Sequence, residues 1–147
     1  MKKYLLDTGI VRRIGINEKV TQKLALLDED TELFISVLTL HEMYYGLSNA
    51  KGTKYEEKAQ KAILFVEEEF QDMILPVTKE SSKIFGNLKS KYKENTRILP
   101  ENLKKHNIDF MIAAIAIEQN AILVSHDSIF KIIQGLWNDL QFEDWME

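Results

Sequence analysis

Apolar and polar positions along this chain alternate between a two-residue rhythm and a three-to-four-residue rhythm, and the alternation predicts its elements. Lys3–Leu6 reads as a short first strand running into Asp7-Thr8-Gly9. Ile10–Ile16 reads as a short helix closed near Gly15, and Lys19–Leu27 as a second with Val20, Leu24 and Leu27 on one side. After the acidic turn Asp28-Glu29-Asp30, Leu33–Ile35 is a second strand that Ser36 ends. A helix to about Ser48 follows, with Leu40, Tyr44 and Leu47 on its buried face. Tyr55–Phe70 is a long amphipathic helix whose stripe is Ala59, Ala62, Ile63, Val66 and Phe70. Met73–Leu75 is a third strand stopped by Pro76, and Thr78 caps a helix reaching Tyr92 or Lys93. Glu94–Lys105 carries no clear rhythm. Asn107 is expected to cap a helix over Asp109–Gln119 that Asn120 ends. Ala121–Val124 is then a fourth strand, Ser128–Ile133 a short helix, and Leu140–Phe142 a final edge strand.

Strands separated by helices argue for an α/β fold: one domain over residues 1–147, with a small parallel sheet of four to five strands and helices on both faces. Such a sheet gathers strand ends, and the starts of returning helices, at its carboxyl edge, where ligands bind. Asp7 ends the first strand, and Asp127 stands shortly after the fourth. Glu42 lies within about two helical turns of the second strand's end. Asp109 opens the helix that leads into the fourth strand.

Each acid also has a local explanation. Asp7 suits a turn, and Thr39-Leu40-His41-Glu42 matches a T-x-x-E capping box. Asp109 suits the first turn of a helix, and Asp127 suits an N-cap. None of these explains why all four converge. Four like charges at one edge repel one another, and burial adds to the cost. A divalent cation relieves both. An all-oxygen donor set points to Mg²⁺ or Mn²⁺ rather than zinc. A cation so held can activate a water and stabilise charge on a phosphoryl oxygen, which is the chemistry of phosphodiester hydrolysis. His41 and His126 adjoin two of the acids and read as surface histidines outside the site.

Composition narrows the picture further. The 147 residues are 45% hydrophobic and 29% charged, the profile of a globular protein. There is no cysteine, hence no disulfide and no thiolate chemistry, as expected of a reducing, cytoplasmic setting. No apolar run approaches the ~20 residues that span a bilayer, and Asp7 interrupts the N-terminal apolar run too early for a signal peptide. The net charge of −4 does not advertise nucleic acid, but Lys79–Lys105 is rich in lysine and arginine while the segment after it is acidic. That run reads either as a solvated helix face or as a track for a polyanion, with Arg97 and Lys104 its candidate contacts.

With these residues in view, the chain resembles the PIN-domain family, and most of all its VapC-type toxin ribonucleases. Tyr4-Leu5-Leu6-Asp7-Thr8 is similar to the family's opening, and Ile35–Gly46 to its Glu-bearing second motif. Asp109-Phe110-Met111-Ile112-Ala113-Ala114 resembles the third motif and Ala121–Phe130 the fourth, while Phe142-Glu143-Asp144-Trp145 resembles the family's ending. The resemblance implies that Asp7, Glu42, Asp109 and Asp127 are the catalytic, metal-binding acids, with Thr8 and Ser125 as supporting hydroxyls. It implies RNA as substrate, cut by a metal-activated water, and so RNA as the polyanion for Arg97 and Lys104. As partners it implies a small antitoxin protein and a second copy in a homodimer. Two departures stand out: Gly9 replaces the usual Asn after Asp-Thr, and Pro100–Asn107 is longer than usual.

Other readings compete. Asp7-Thr8-Gly9 is also the aspartic-protease signature, but that fold is almost entirely β and needs a glycine-rich flap. A PIN-like module without catalysis, binding RNA or protein, is the closer rival, although such modules have generally lost one of the acids. No phosphate-binding glycine loop is present, and Gly9 stands where haloacid-dehalogenase-type phosphatases need a second Asp.

Overall fold

The computed structural model describes residues 1–147. Five strands, β1 (Lys3–Leu6), β2 (Glu32–Ser36), β3 (Ile74–Leu75), β4 (Ile122–Val124) and β5 (Gln141–Glu143), form one sheet in the order β3-β2-β1-β4-β5. Every pairing is parallel, the last strand included, with Val124 opposite Glu143. Strand residues alternate between two cores. Leu5, Phe34 and Leu123 face one, and Tyr4, Leu6, Ile35 and Val124 face the other. That two-residue period buries both faces of the sheet, so both must be covered by helices.

The first core lies under α5 (Lys79–Thr96), α7 (Asn107–Glu118) and α8 (Ile129–Leu136). The second lies under α1 (Thr8–Val11), α2 (Glu18–Ala25), α3 (Val37–Ala50) and α4 (Glu56–Phe70). Asp7 is the N-cap of α1, which ends before the predicted Ile16 and passes through turns to Gly15, where φ is +78°. Glycine takes that conformation without a Cβ clash. Thr78 caps α5 as expected, exchanging hydrogen bonds with Ser81. The segment without rhythm holds a short α6 (Pro100–Leu103) and a 3₁₀ turn over Lys104–His106.

Several expectations are corrected. On α3 the buried positions are Leu38, Thr39 and Met43, whereas Tyr44 is 46% exposed and its hydroxyl donates to Glu67 on α4. The sheet-facing stripe is thus rotated away from Tyr44. Because α3 starts at Val37, Thr39 is inside the helix and Thr39–Glu42 is no capping box. Helix α5 continues to Thr96 and ends at Arg97 in the left-handed region, φ +55°. His106, not Asn107, is the N-cap of α7. Beside the stripe of α4, Tyr55 and Phe65 are 59% and 44% exposed. No helix is long and apolar enough to cross a membrane.

Helix α5 does not start at the carboxyl edge as a simple crossover would. Thr78 at its start donates to Glu118 at the end of α7, while Tyr92 near its other end packs on His106 and Phe110 at the start of α7. The two helices are antiparallel. The C-terminal end of the basic run therefore lies on the same side as Asp109.

Candidate active site

Three of the four acids are positioned by the backbone immediately after a strand or at the start of a helix. Asp7 follows β1, and its N–H continues the ladder to the Val124 carbonyl at 2.9 Å. Its carboxylate is held at both oxygens: Oδ1 accepts the Thr8 N–H and Oδ2 accepts the Ser125 hydroxyl, each at 2.8 Å. Ser125 Oγ in turn accepts the Asp127 N–H at 3.1 Å, so a single hydroxyl joins the ends of β1 and β4. Asp127 Oδ1 accepts the Ile129 N–H and starts α8. Asp109 sits in the first turn of α7, where the helix dipole favours negative charge.

Glu42 comes from the exposed side of α3 and is tied to the same centre through Thr8. Thr8 Oγ1 lies 3.0 Å from both Glu42 Oε1 and Thr39 Oγ1. A carboxylate can only accept, so Thr8 donates to Glu42 and receives from Thr39. Thr8, Thr39 and Ser125 are all buried. The two hydroxyls expected to support the site therefore do contact its acids, and Thr39 is a third that local sequence pattern assigned to a helix cap.

The electrostatics show that the acids sense one another. Burial, then the nearby charges of Asp127 and Asp7, raises the Asp109 carboxyl from its ordinary 3.8 to about 6. Burial also raises Asp7, with Asp127 adding to the effect against the hydrogen bonds from Ser125 and Thr8. Glu42 is raised by burial and by Asp7, opposed by its bond from Thr8 and by the Arg12 guanidinium. The Tyr92 hydroxyl is raised by burial and by the charges of Asp109 and Asp127. The guanidinium of Arg12 is the one arginine or lysine charge that acts on these carboxylates.

Such an excess of oxygen donors over cationic partners suits a hard divalent cation. As the side chains stand, no three His, Asp or Glu are grouped closely enough to hold a metal ion between them.

The other expected residues lie outside this centre. Arg97 and Lys104 are exposed and make no ion pair. His41 bonds the Val37 carbonyl, and His126 pairs with Asp144 at 2.8 Å, so both histidines stay out of the acid cluster as expected. Residues that sequence reasoning passed over are Arg12, Thr39, Tyr92 and His106. His106 stands three residues before Asp109, a spacing that brings side chains together on a helix and was a usable signal. Tyr92 had none, because its place depends on how α5 meets α7.

Beside the site a groove of about 710 Å³ opens between the turn after α1, α3 and α4. Val11, Ile14, Met43, Tyr55, Phe65 and Val66 make it largely apolar. Arg12 lines it as well as facing Glu42, and Lys58 and Lys61 add further positive charge.

Comparison with known proteins agrees with this fold. A family model described as PIN domain matches residues 4–136. The chain is 30% identical over 129 residues to Ribonuclease VapC2 of Haemophilus influenzae, covering 86% of this chain and 88% of that protein. It is 29% identical over 136 residues to Ribonuclease VapC2 of Rickettsia felis, covering 90% and 93%. Among solved structures, VapBC2 from Rickettsia felis bound to a DNA fragment from its promoter superposes with a TM-score of 0.72 at 26% identity, over 97% of this chain and 98% of that one.

Proposed function

This chain belongs to the PIN-domain family, and on that premise we propose that it is the toxin ribonuclease of a toxin–antitoxin pair. All 147 residues serve as one nuclease domain, which hydrolyses phosphodiester bonds in RNA. Its cofactor is Mg²⁺ or Mn²⁺, held by Asp7, Glu42, Asp109 and Asp127. The observation that carries this reading is the gathering of the acids at one sheet edge, where Ser125 joins Asp7 to Asp127 and Thr8 joins Asp7 to Glu42, and where burial raises Asp7, Glu42 and Asp109. Proteins hold uncompensated carboxylates together at a cost in stability, and a cation repays it on binding.

A bound divalent cation supplies an activated water and neutralises charge developing on the phosphate. The chain's own residues prepare for it. Ser125 and the Thr8 N–H clamp Asp7 at both oxygens, and Thr8 Oγ1 holds Glu42. With no cysteine and no serine triad near the acids, the chain offers no protein nucleophile, so water is the attacker. Arg97 and Lys104, exposed on the Asp109 side, contact the RNA backbone. Single strands are preferred because a flexible backbone can bend a phosphate into the edge that a duplex would bridge.

The apolar groove is the seat of the antitoxin. Its exposed Tyr55 and Phe65 need a partner, and Arg12, Lys58 and Lys61 favour one with acidic side chains at its margins. The chain itself forms a homodimer, and sedimentation as a clean monomer at micromolar concentration would remove that part of the reading.

The test is cleavage of structured and unstructured RNA by the purified chain with Mg²⁺, with Mn²⁺ and with chelator. Cleavage of the unstructured strand in either metal, abolished by chelator, is expected. Activity that survives chelation would overturn the mechanism. A folded wild-type chain inert in both metals would make this a silent binding module instead.

A further inference from the structure

We propose that His106 is a positioning residue that holds Asp109 turned toward the acidic edge. The inference rests on the reading above, in which Asp109 contributes to cation binding. His106 is the N-cap residue of α7, yet its side chain makes no cap bond. Its Nδ1 lies 3.3 Å from Asp109 Oδ2 instead. An ionised carboxylate accepts only, so Nδ1 carries the hydrogen and donates it.

The imidazole packs on one side against two aromatic rings. The Tyr92 ring lies 5.9 Å away between centroids, and the Phe110 ring 6.3 Å. Those two rings are themselves buried and meet edge to face at 5.2 Å. Packing against two buried rings narrows the rotamers open to the imidazole and favours the one that presents Nδ1 to Asp109.

The helix terminus makes that restraint consequential. An acid at the third helical position ordinarily reaches back to the free N–H groups of its own helix start. Asp109 stands at that position and is taken by His106 instead. One oxygen is thereby occupied and Oδ1 is left for the acidic edge. Metal-binding carboxylates depend on such outer partners, whose loss typically weakens metal affinity or activity about 10- to 100-fold.

Calorimetric titration of Mn²⁺ into wild type, His106→Leu, His106→Asn and Asp109→Asn tests this, alongside kcat and KM on an unstructured RNA. Thermal melts confirm that each variant folds. Asparagine places an amide N–H close to the position of Nδ1, whereas leucine fills the space without a donor. His106→Leu is expected to bind Mn²⁺ about 10-fold more weakly and to lose kcat with little change in KM. His106→Asn should recover most of both. Wild-type affinity and kcat in His106→Leu, with Asp109→Asn impaired, would overturn the proposal alone. Equal loss in the leucine and asparagine variants at equal stability would do the same. Wild-type Mn²⁺ affinity in Asp109→Asn would remove the cation role of Asp109, and the proposal with it.

Discussion

Replacing Asp109 by Asn should stabilise the metal-free protein, and only above the pH at which this carboxylate ionises. Burial, reinforced by Asp127 and Asp7, lifts it from 3.8 to about 6 in the folded chain. The folded state thus holds the proton more tightly than the unfolded state does. Below 3.8 both states are protonated and the charge costs nothing. Between 3.8 and about 6 the unfolded chain releases its proton first, so stability falls as pH rises. Above about 6 the full cost is present.

Taken at face value, that interval corresponds to about 3 kcal/mol. The side chain keeps 22% of its surface in solvent, and screening lowers the expectation to about 1–2 kcal/mol. Asparagine retains an oxygen to accept from His106, so the substitution removes charge with little change of shape. Urea unfolding in chelator, at about pH 3.5, about pH 5 and about pH 7, should show the variant's advantage absent, then partial, then complete. Saturating Mg²⁺ should reverse the order, because ligand at a hundred times Kd adds about 2.7 kcal/mol to a chain that binds it. An advantage that is the same at every pH, or missing at neutral pH, would refute the electrostatic reasoning.

Three further outcomes are expected. Ser125→Ala leaves Asp7 Oδ2 without a donor and the Asp127 N–H without an acceptor. It should cost about 1–3 kcal/mol in urea unfolding and depress RNA cleavage. Arg97→Ala and Lys104→Ala should each weaken RNA binding and flatten its log–log salt dependence by roughly 0.7 per lost phosphate contact; an unchanged slope would make both residues plain solvated surface. Phe65→Asp puts a charge in the apolar groove and should reduce antitoxin affinity in calorimetry, an outcome that undiminished binding would contradict.

The frame of this molecule was readable because strand residues obey a simple rule. Tyr4 and Leu6 enter one core and Leu5 the other, and the same alternation places an acid where each of β1 and β4 stops. Asp7 and Asp127 follow directly from that periodicity. Glu42 was harder, since T-x-x-E looks like a cap until the start of α3 at Val37 is known. Long-range packing was not readable. The antiparallel meeting of α5 and α7 brings Tyr92 to His106, and no local pattern states it. The face of α3 was placed one position away, on Tyr44 rather than Met43, because both residues are apolar enough to satisfy the period. Tyr55 and Phe65 offer more aromatic surface than a crossover helix needs, which reads as a wide core face or a partner face until the structure leaves them on a groove.

The most direct test of the central claim is anomalous X-ray scattering from crystals of the wild-type chain and Asp7→Asn grown in MnCl₂. The account predicts a Mn²⁺ peak at the carboxyl edge of the sheet, among Asp7, Glu42, Asp109 and Asp127, and weakened or lost in Asp7→Asn. A peak elsewhere on the molecule, or one of equal strength at this edge in both proteins, would contradict it.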